Sequence, residues 1–303
     1  MTDQRPPTID PVAALRWACQ LPSESPWLHE EVARRMQERL QWIKLQPQSW
    51  AHWEPLGGGL LAHRALAQRY PRAACFVVEP DAARSQKAER ALAPPWWRAA
   101  RWLGTTTRYQ RPQDAGVQML WANMALHLAP DPQALIAQWQ RALAPEGFLM
   151  FSCLGPDSLG ELRALYRLHG WPPPAPDFTD MHDWGDMLVN AGFAEPVMDM
   201  ERITLSFPSG ARLLDELRGL GRNLHPARFG ALRGRSWHGQ LLRGLDHGLA
   251  LGQAPRGPTL SFEIIYGHAI KAPSRVAVAA EAFVALDTMR SLLRQGHRSP
   301  ARL

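Results

Sequence analysis

Arg141-Ala-Leu-Ala-Pro-Glu-Gly-Phe-Leu-Met-Phe-Ser-Cys-Leu-Gly-Pro-Asp-Ser-Leu-Gly-Glu-Leu-Arg163 carries three structural signals in order. Its middle, Phe148 to Leu154, is apolar apart from Ser152, which marks a strand covered on both faces. Gly155-Pro156-Asp157 then turns the chain, and a helix follows through Leu168. Upstream, Asp131 and Pro132 open a helix to Leu143, a capping acid followed by proline in the first turn. Helix, buried strand, turn and helix form the repeating unit of a mainly parallel sheet with helices on both faces.

The same alternation extends in both directions. Toward the amino terminus, Val117 to Trp121 and Ala73 to Glu79 read as short buried strands, and Asp81 caps a helix to about Leu92. A helix follows Gly59 and ends at Pro71, and Val32, Met36, Leu40 and Ile43 place another over 27–45. Toward the carboxyl terminus, the four prolines between Trp171 and Pro176 make a loop, and Met181 to Ala191 a helix ending at Gly192. Val197 to Phe207 alternates as a strand, helices follow near 210–220 and 236–246, and a strand near 260–270. The stretch Trp96 to Gly104 fits either state. The organisation expected is a helical segment over 1–46, an α/β domain over 47–270 with a helical insertion at about 208–250, and an appended helix and tail over 271–303.

Composition narrows the function classes. The chain has 303 residues, 46% hydrophobic and 20% charged, with a net charge of +6. The apolar fraction excludes disorder, and no sustained heptad is present. Only Lys44, Lys87 and Lys271 are lysines, and the arginines that make up the rest of the 34 basic residues are scattered. Without a basic cluster, nucleic-acid binding is not expected. Cys19, Cys75 and Cys153 lie too far apart for a thiolate metal site or a disulfide framework. His225, His238 and His247 share no ligand spacing, so no metal is expected. Ser158 misses the G-x-S-x-G elbow, and Cys153 lies in an apolar strand as a core residue. The start lacks a signal peptide's apolar core, and no apolar run approaches the roughly 18 residues of a membrane span. A cytoplasmic monomer is expected.

Leu120-Trp-Ala-Asn-Met-Ala-Leu-His127 and the stretch quoted above resemble strands four and five of class I methyltransferases that use S-adenosylmethionine. Phe178-Thr-Asp-Met-His-Asp-Trp-Gly-Asp-Met-Leu188, Ala191 to Leu205 and Phe262-Glu-Ile-Ile-Tyr-Gly-His268 narrow the resemblance to the malonyl-acyl-carrier-protein O-methyltransferases of biotin synthesis. The match covers about 120–270. It implies a Rossmann-like seven-stranded class I methyltransferase sheet with helices on both faces. It also implies S-adenosylmethionine as cofactor and an acyl-carrier protein as the carrier of the methylated carboxylate.

The first half is less similar. The family's strand one ends in D-x-G-x-G-x-G, whose glycines let the backbone approach the cofactor at a helix start. The aligned stretch here is Trp50-Ala-His-Trp-Glu-Pro-Leu-Gly-Gly-Gly59. Gly57 and Gly59 keep the later glycines, whereas Trp53 stands at the acid and Pro55 at the first glycine. Proline fixes φ and lacks an N–H, so it does not reproduce a glycine turn. Glu54 reaches the acid's place only through a register shift. Glu79 matches the strand-two acid that accepts both ribose hydroxyls, Thr105 falls at the adenine edge, and Asn123 at the methionyl part. Pro22 replaces an expected tyrosine. Arg212, Arg218 and Arg222 in the insertion are the candidates for holding a free carboxylate and an acidic carrier. A methyl acceptor that is already an anion needs alignment rather than a general base, so no catalytic side chain is singled out.

Two other readings stay open. One is a catalytically inactive methyltransferase-fold protein acting as a binding or assembly factor, which rests on Trp53, Pro55, Pro22 and Thr105. The other is an arginine hydroxylase or assembly factor, whose family shares the carboxy-terminal segments.

Overall fold

Successive side chains along each central strand enter opposite cores, and this alternation sets the layers. The computed structural model describes residues 9–20, 24–93, 107–248 and 257–273. Among them, seven strands form one sheet in the order β3-β2-β1-β4-β5-β7-β6. These are β1 (Ser49–Trp53), β2 (Ala74–Val78), β3 (Thr107–Arg108), β4 (Val117–Ala122), β5 (Leu143–Leu154), β6 (Phe193–Ser206) and β7 (Thr259–Lys271). Pairing is parallel from β3 to β5, and β7 runs antiparallel to both β5 and β6.

Trp50, Val77, Met119, Trp121, Phe148 and Met150 face one core; Trp53, Val78, Leu120, Leu149, Phe151 and Cys153 face the other. The first core is covered by α2 (Trp27–Arg39), α4 (Leu60–Arg69) and α5 (Ala82–Leu92) through Val32, Met36, Leu66 and Ala88. The second is covered by α6 (Pro132–Ala142) and α8 (Met181–Asn190) through Ile136, Trp139, Trp184 and Leu188. The expected layers and buried strands are therefore present, and α7 (Gly160–Leu168) follows β5 where the turn signal placed a helix. The insertion lies between β6 and β7 and contains α9 (Gly210–Leu220) and α10 (Arg235–Gly248).

The caps follow the residues. The Asp81 carboxylate accepts the Arg84 N–H at 2.8 Å to open α5, and Asp131 accepts the Ala134 N–H at 2.8 Å to open α6. Two details depart from the sequence reading. α2 ends at Arg39 and tightens into a 3-10 turn over Leu40–Trp42, rather than continuing to 45. A helix over Pro11–Gln20 (α1) was not marked by the pattern. Pro55–Gly58 forms a short helical turn (α3) in place of the family's glycine turn, which Pro55 was not expected to reproduce; proline is at home at the first helical position. Trp96 to Gly104 and the helix expected over 276–294 fall outside the described residues. The described residues up to Ala272 belong to one compact unit.

Candidate active site

Parallel strands deliver their carboxyl ends to one edge of the sheet, and the crevice opens where the strand order reverses, between β1 and β4. Glu54 follows β1, Glu79 follows β2 and Asn123 follows β4, so three sequence candidates meet at this edge. Two adjacent cavities lie over it. The first, about 570 Å³, is lined by Trp53, Glu54, Glu79, Pro80 and Arg84, with α1 contributing Trp17. The second, about 310 Å³, is mainly apolar, lined by Leu154, Tyr166, Phe178 and Trp237, with Arg218 and Arg222 contributing cations. Leu128 and Leu224 border both.

Glu79 is spent inside the chain. Its side chain is 0% exposed; Oε1 accepts the Leu56 N–H at 3.0 Å and Oε2 the Arg84 Nε–H at 2.7 Å. Glu79 does not cap α5, since Asp81 does. Glu54 joins the cluster without any register shift. β1 pairs Trp53 with Val78, and a left-handed backbone at Glu54 (φ 53°) swings its carboxylate to 3.3 Å from the Arg84 guanidinium. Trp53, at the family's acid position, packs edge-on against Trp139 in the opposite core with ring centroids 6.3 Å apart. Desolvation pushes the Glu54 carboxyl up to about 7 against the pull of Arg84, and raises Glu79 in the same sense.

The turn after β1 is also consumed internally. The Gly57 and Gly58 N–H groups donate to the Glu54 carbonyl at 3.1 and 2.8 Å, and the Gly59 N–H to that of Pro55 at 2.9 Å. Before and within α2, Ser25 accepts the Leu60 N–H at 2.9 Å, and Glu30 accepts those of Leu61 and Ala62 at 3.0 and 3.2 Å. The donors of the α4 start are therefore capped by the protein's own side chains. His29 Nδ1 donates to the Gly57 carbonyl at 2.8 Å, and burial holds this imidazole down to about 4. Asn123 Nδ2 donates to the His29 carbonyl at 2.8 Å and to that of Gly58, and Oδ1 accepts from Ser152 at 2.6 Å. Gly58 lies so close to this strand end that a Cβ there would stand 2.7 Å from the Asn123 carbonyl oxygen.

An adenosyl ligand needs a free carboxylate for its diol and free turn donors beside it. The residues are of the right kind and at the right edge of the sheet. As placed they do not fit that ligand, because each is already partnered within the chain.

The structure gathers Gly57, Gly59, Glu79 and Asn123 into one site. Thr105 and Pro22 lie outside the described residues. Arg218 and Arg222 line the apolar cavity, whereas Arg212 lines a different one of about 600 Å³ beside Trp27. Arg212 pairs with Glu216 at 2.7 Å and Arg218 with Asp215 at 2.8 Å, while Arg222 lies 4.8 Å over Trp17. Arg84, Ser25, His29 and Glu30 were missed. The available signal was the spacing Glu79-Pro-Asp-Ala-Ala-Arg84, with Asp81 as cap, which sets Arg84 in the first helical turn beside the strand-end acid. Among the described residues no group of His, Cys, Asp and Glu has metal-site geometry, and no helix is long and apolar enough to cross a membrane.

No family model matches the chain. Its fold is shared with the YcgJ protein of Bacillus subtilis, at a TM-score of 0.52 and 13% identity, covering 80% of this chain and 99% of that one. A proposed methyltransferase of Bacillus halodurans is alike at a TM-score of 0.51 and 13% identity, covering 79% and 99%. The curated relatives are much nearer in sequence. The malonyl-[acyl-carrier protein] O-methyltransferase of Gallionella capsiferriformans is 37% identical over 257 residues, covering 82% of this chain and 86% of the relative. That of a Methylovorus species is 35% identical over 262 residues, covering 83% and 84%. With the sheet order, the strand-end acid and identity over most of both chains in agreement, the chain belongs to the malonyl-[acyl-carrier protein] O-methyltransferase family.

Proposed function

We propose that this chain acts as its relatives are named to act, placing a methyl group on the free carboxylate of a malonyl group carried by an acyl-carrier protein in biotin synthesis. The observation that carries the reading is identity of 37% and 35% across more than four-fifths of the chain. S-adenosylmethionine is the methyl donor that the family resemblance implies. The acceptor side is physically suitable: a malonyl carboxylate is anionic at neutral pH, so it needs a cation and alignment rather than a base. Arg218 and Arg222 at an apolar cavity of about 310 Å³ supply the cations. We place the reaction in the cytoplasm, on a monomer that does not bind nucleic acid. The test is incubation with malonyl-carrier protein and methyl-labelled S-adenosylmethionine, and the expected result is base-labile label on the carrier. Label that never leaves the donor at any enzyme concentration would sink the reading.

A second reading is favoured by one observation. Both oxygens of Glu79 are hydrogen-bonded by Leu56 and Arg84, which favours a non-catalytic family member that binds a carrier or partner protein. Titration calorimetry with S-adenosylhomocysteine separates the two. Micromolar binding supports catalysis; no heat at millimolar ligand supports the binding protein.

A further inference from the structure

The residue that most sharply separates this site from an open one is Arg84. Its side chain is 6% exposed and reaches three separate elements. Nε donates to Glu79 Oε2 at 2.7 Å, Nη2 lies 3.3 Å from Glu54 Oε2, and Nη1 donates to the Ala18 carbonyl at 3.1 Å. It therefore joins the end of β2, the residue after β1, and the α1 helix that borders the cavity of about 570 Å³.

We propose that Arg84 is the specificity-determining residue of this site: its guanidinium stands in for a ligand diol on Glu79 and lowers the affinity of the cavity for adenosyl compounds. The inference rests on the family reading only in taking an adenosyl compound as the ligand class. The chemistry is a direct competition. A vicinal diol presents two O–H donors to the two oxygens of a carboxylate. Arg84 already donates to one of those oxygens with a charge-assisted bond, and the Leu56 N–H holds the other. Each carboxylate oxygen can accept a second hydrogen bond, but the Glu79 side chain is fully buried beside Arg84, so a neutral diol reaches it only where the guanidinium withdraws. The first turn of α5 fixes this competition in place, because Asp81 caps the helix at the Arg84 N–H itself.

Calorimetric titration of S-adenosylhomocysteine into wild type, Arg84→Met and Arg84→Gln tests this. Arg84→Gln keeps one donor for Glu79 and serves if the methionine variant folds poorly; circular dichroism and urea unfolding establish the fold of each. The expected result is a gain in affinity of about ten- to hundredfold in the folded variants, the range set by losing one charge-assisted hydrogen bond as competitor. Unchanged affinity in a folded variant overturns the proposal, whether both proteins bind or neither does. A second readout uses the wild type alone. The 15N-edited Nε–H signal of Arg84, assigned by its loss in Arg84→Gln, should shift under any adenosyl compound that binds. Tight binding with that signal unmoved also overturns the proposal. Methyl transfer is read separately: a variant that gains binding without methylating malonyl-carrier protein removes the proposed acceptor and leaves the role of Arg84 standing.

Discussion

Glu79 looks like a ligand-binding acid in the sequence and behaves as half of a buried ion pair in the fold. The two roles make different demands on stability. Removing one partner of a buried pair leaves an uncompensated charge, at a cost of roughly 3–5 kcal/mol. Because Glu54 shares Arg84, the lower end applies: Glu79→Gln should lose about 3 kcal/mol in urea unfolding without any ligand present. The double change Glu79→Leu with Arg84→Met should recover most of that loss, since apolar replacement of a buried pair is often near neutral. An acid that served only a ligand would leave the stability of the free protein unchanged.

The histidines give a second test at this scale. His52 and His63 stack with ring centroids 5.4 Å apart and Nδ1 atoms 3.2 Å apart, both buried between β1 and α4. Desolvation holds His63 down to about 4, whereas an unfolded histidine titrates near 6.5. Below 6.5 the unfolded chain therefore binds a proton that the folded chain refuses, so stability falls as pH drops from 6.5 toward 4. Glu54 has the opposite sign: raised to about 7 in the fold, it costs stability as pH rises from the carboxylate range to 7. A variant comparison isolates the histidine. His63→Leu should gain about 2 kcal/mol relative to wild type between pH 7.5 and pH 5, measured from urea midpoints at both values. A difference independent of pH would mean that His63 takes up its proton at the same pH in the fold as in the unfolded chain.

Among the elements, the four residues of α3 matter most. A D-x-G-x-G-x-G turn keeps its N–H groups free, whereas Pro55 starts a helical turn that uses them; α2 then clamps that turn through His29 and caps the following start of α4 through Glu30. Gly58 is fixed by contact, because any Cβ there meets backbone at Asn123. Gly58→Ala should cost about 1–3 kcal/mol in unfolding experiments, the range for forcing a methyl group into a packed site. Stability within a few tenths of wild type would mean that the turn is looser than its hydrogen bonds show. Elements with strong local signals were readable from the chain: Asp131-Pro132 and Asp81 mark helix starts at which their carboxylates do cap, and the apolar run to Leu154 is a buried strand. Periodicity did not mark the α1 helix or β1, because five strand residues that include His52, or ten helical residues with few charges, carry too little of it; β1 was placed only by the family resemblance of Trp50 to Gly59.

For the whole molecule, the question is how an acidic carrier would approach. The insertion between β6 and β7 sets Arg218 and Arg222 at one cavity and Arg212 at another, although the three follow one another closely in sequence. Under the methyl-transfer proposal, Arg218→Glu with Arg222→Glu should weaken malonyl-carrier binding by about tenfold at low salt, and the difference should close as salt screens it. Arg212→Glu should change it much less. Titration of the carrier at two ionic strengths reads both effects, and equal losses at all three arginines would point to general charge attraction.

The sequence by itself determined the layers, most of the strands and helices along the chain and the family resemblance, because hydrophobic period, caps and long matching segments are local properties of the chain. It also located the edge where Glu79 and Asn123 meet. Only the tertiary structure decided what those residues do there. Whether a carboxylate is free depends on which cation folds onto it, and Arg84, Glu54, His29 and Glu30 reach the site from other elements across a sheet edge. Spacing records Arg84 in the helical turn beside Glu79, but that Glu54, His29 and Glu30 converge on the same edge is set by packing in three dimensions.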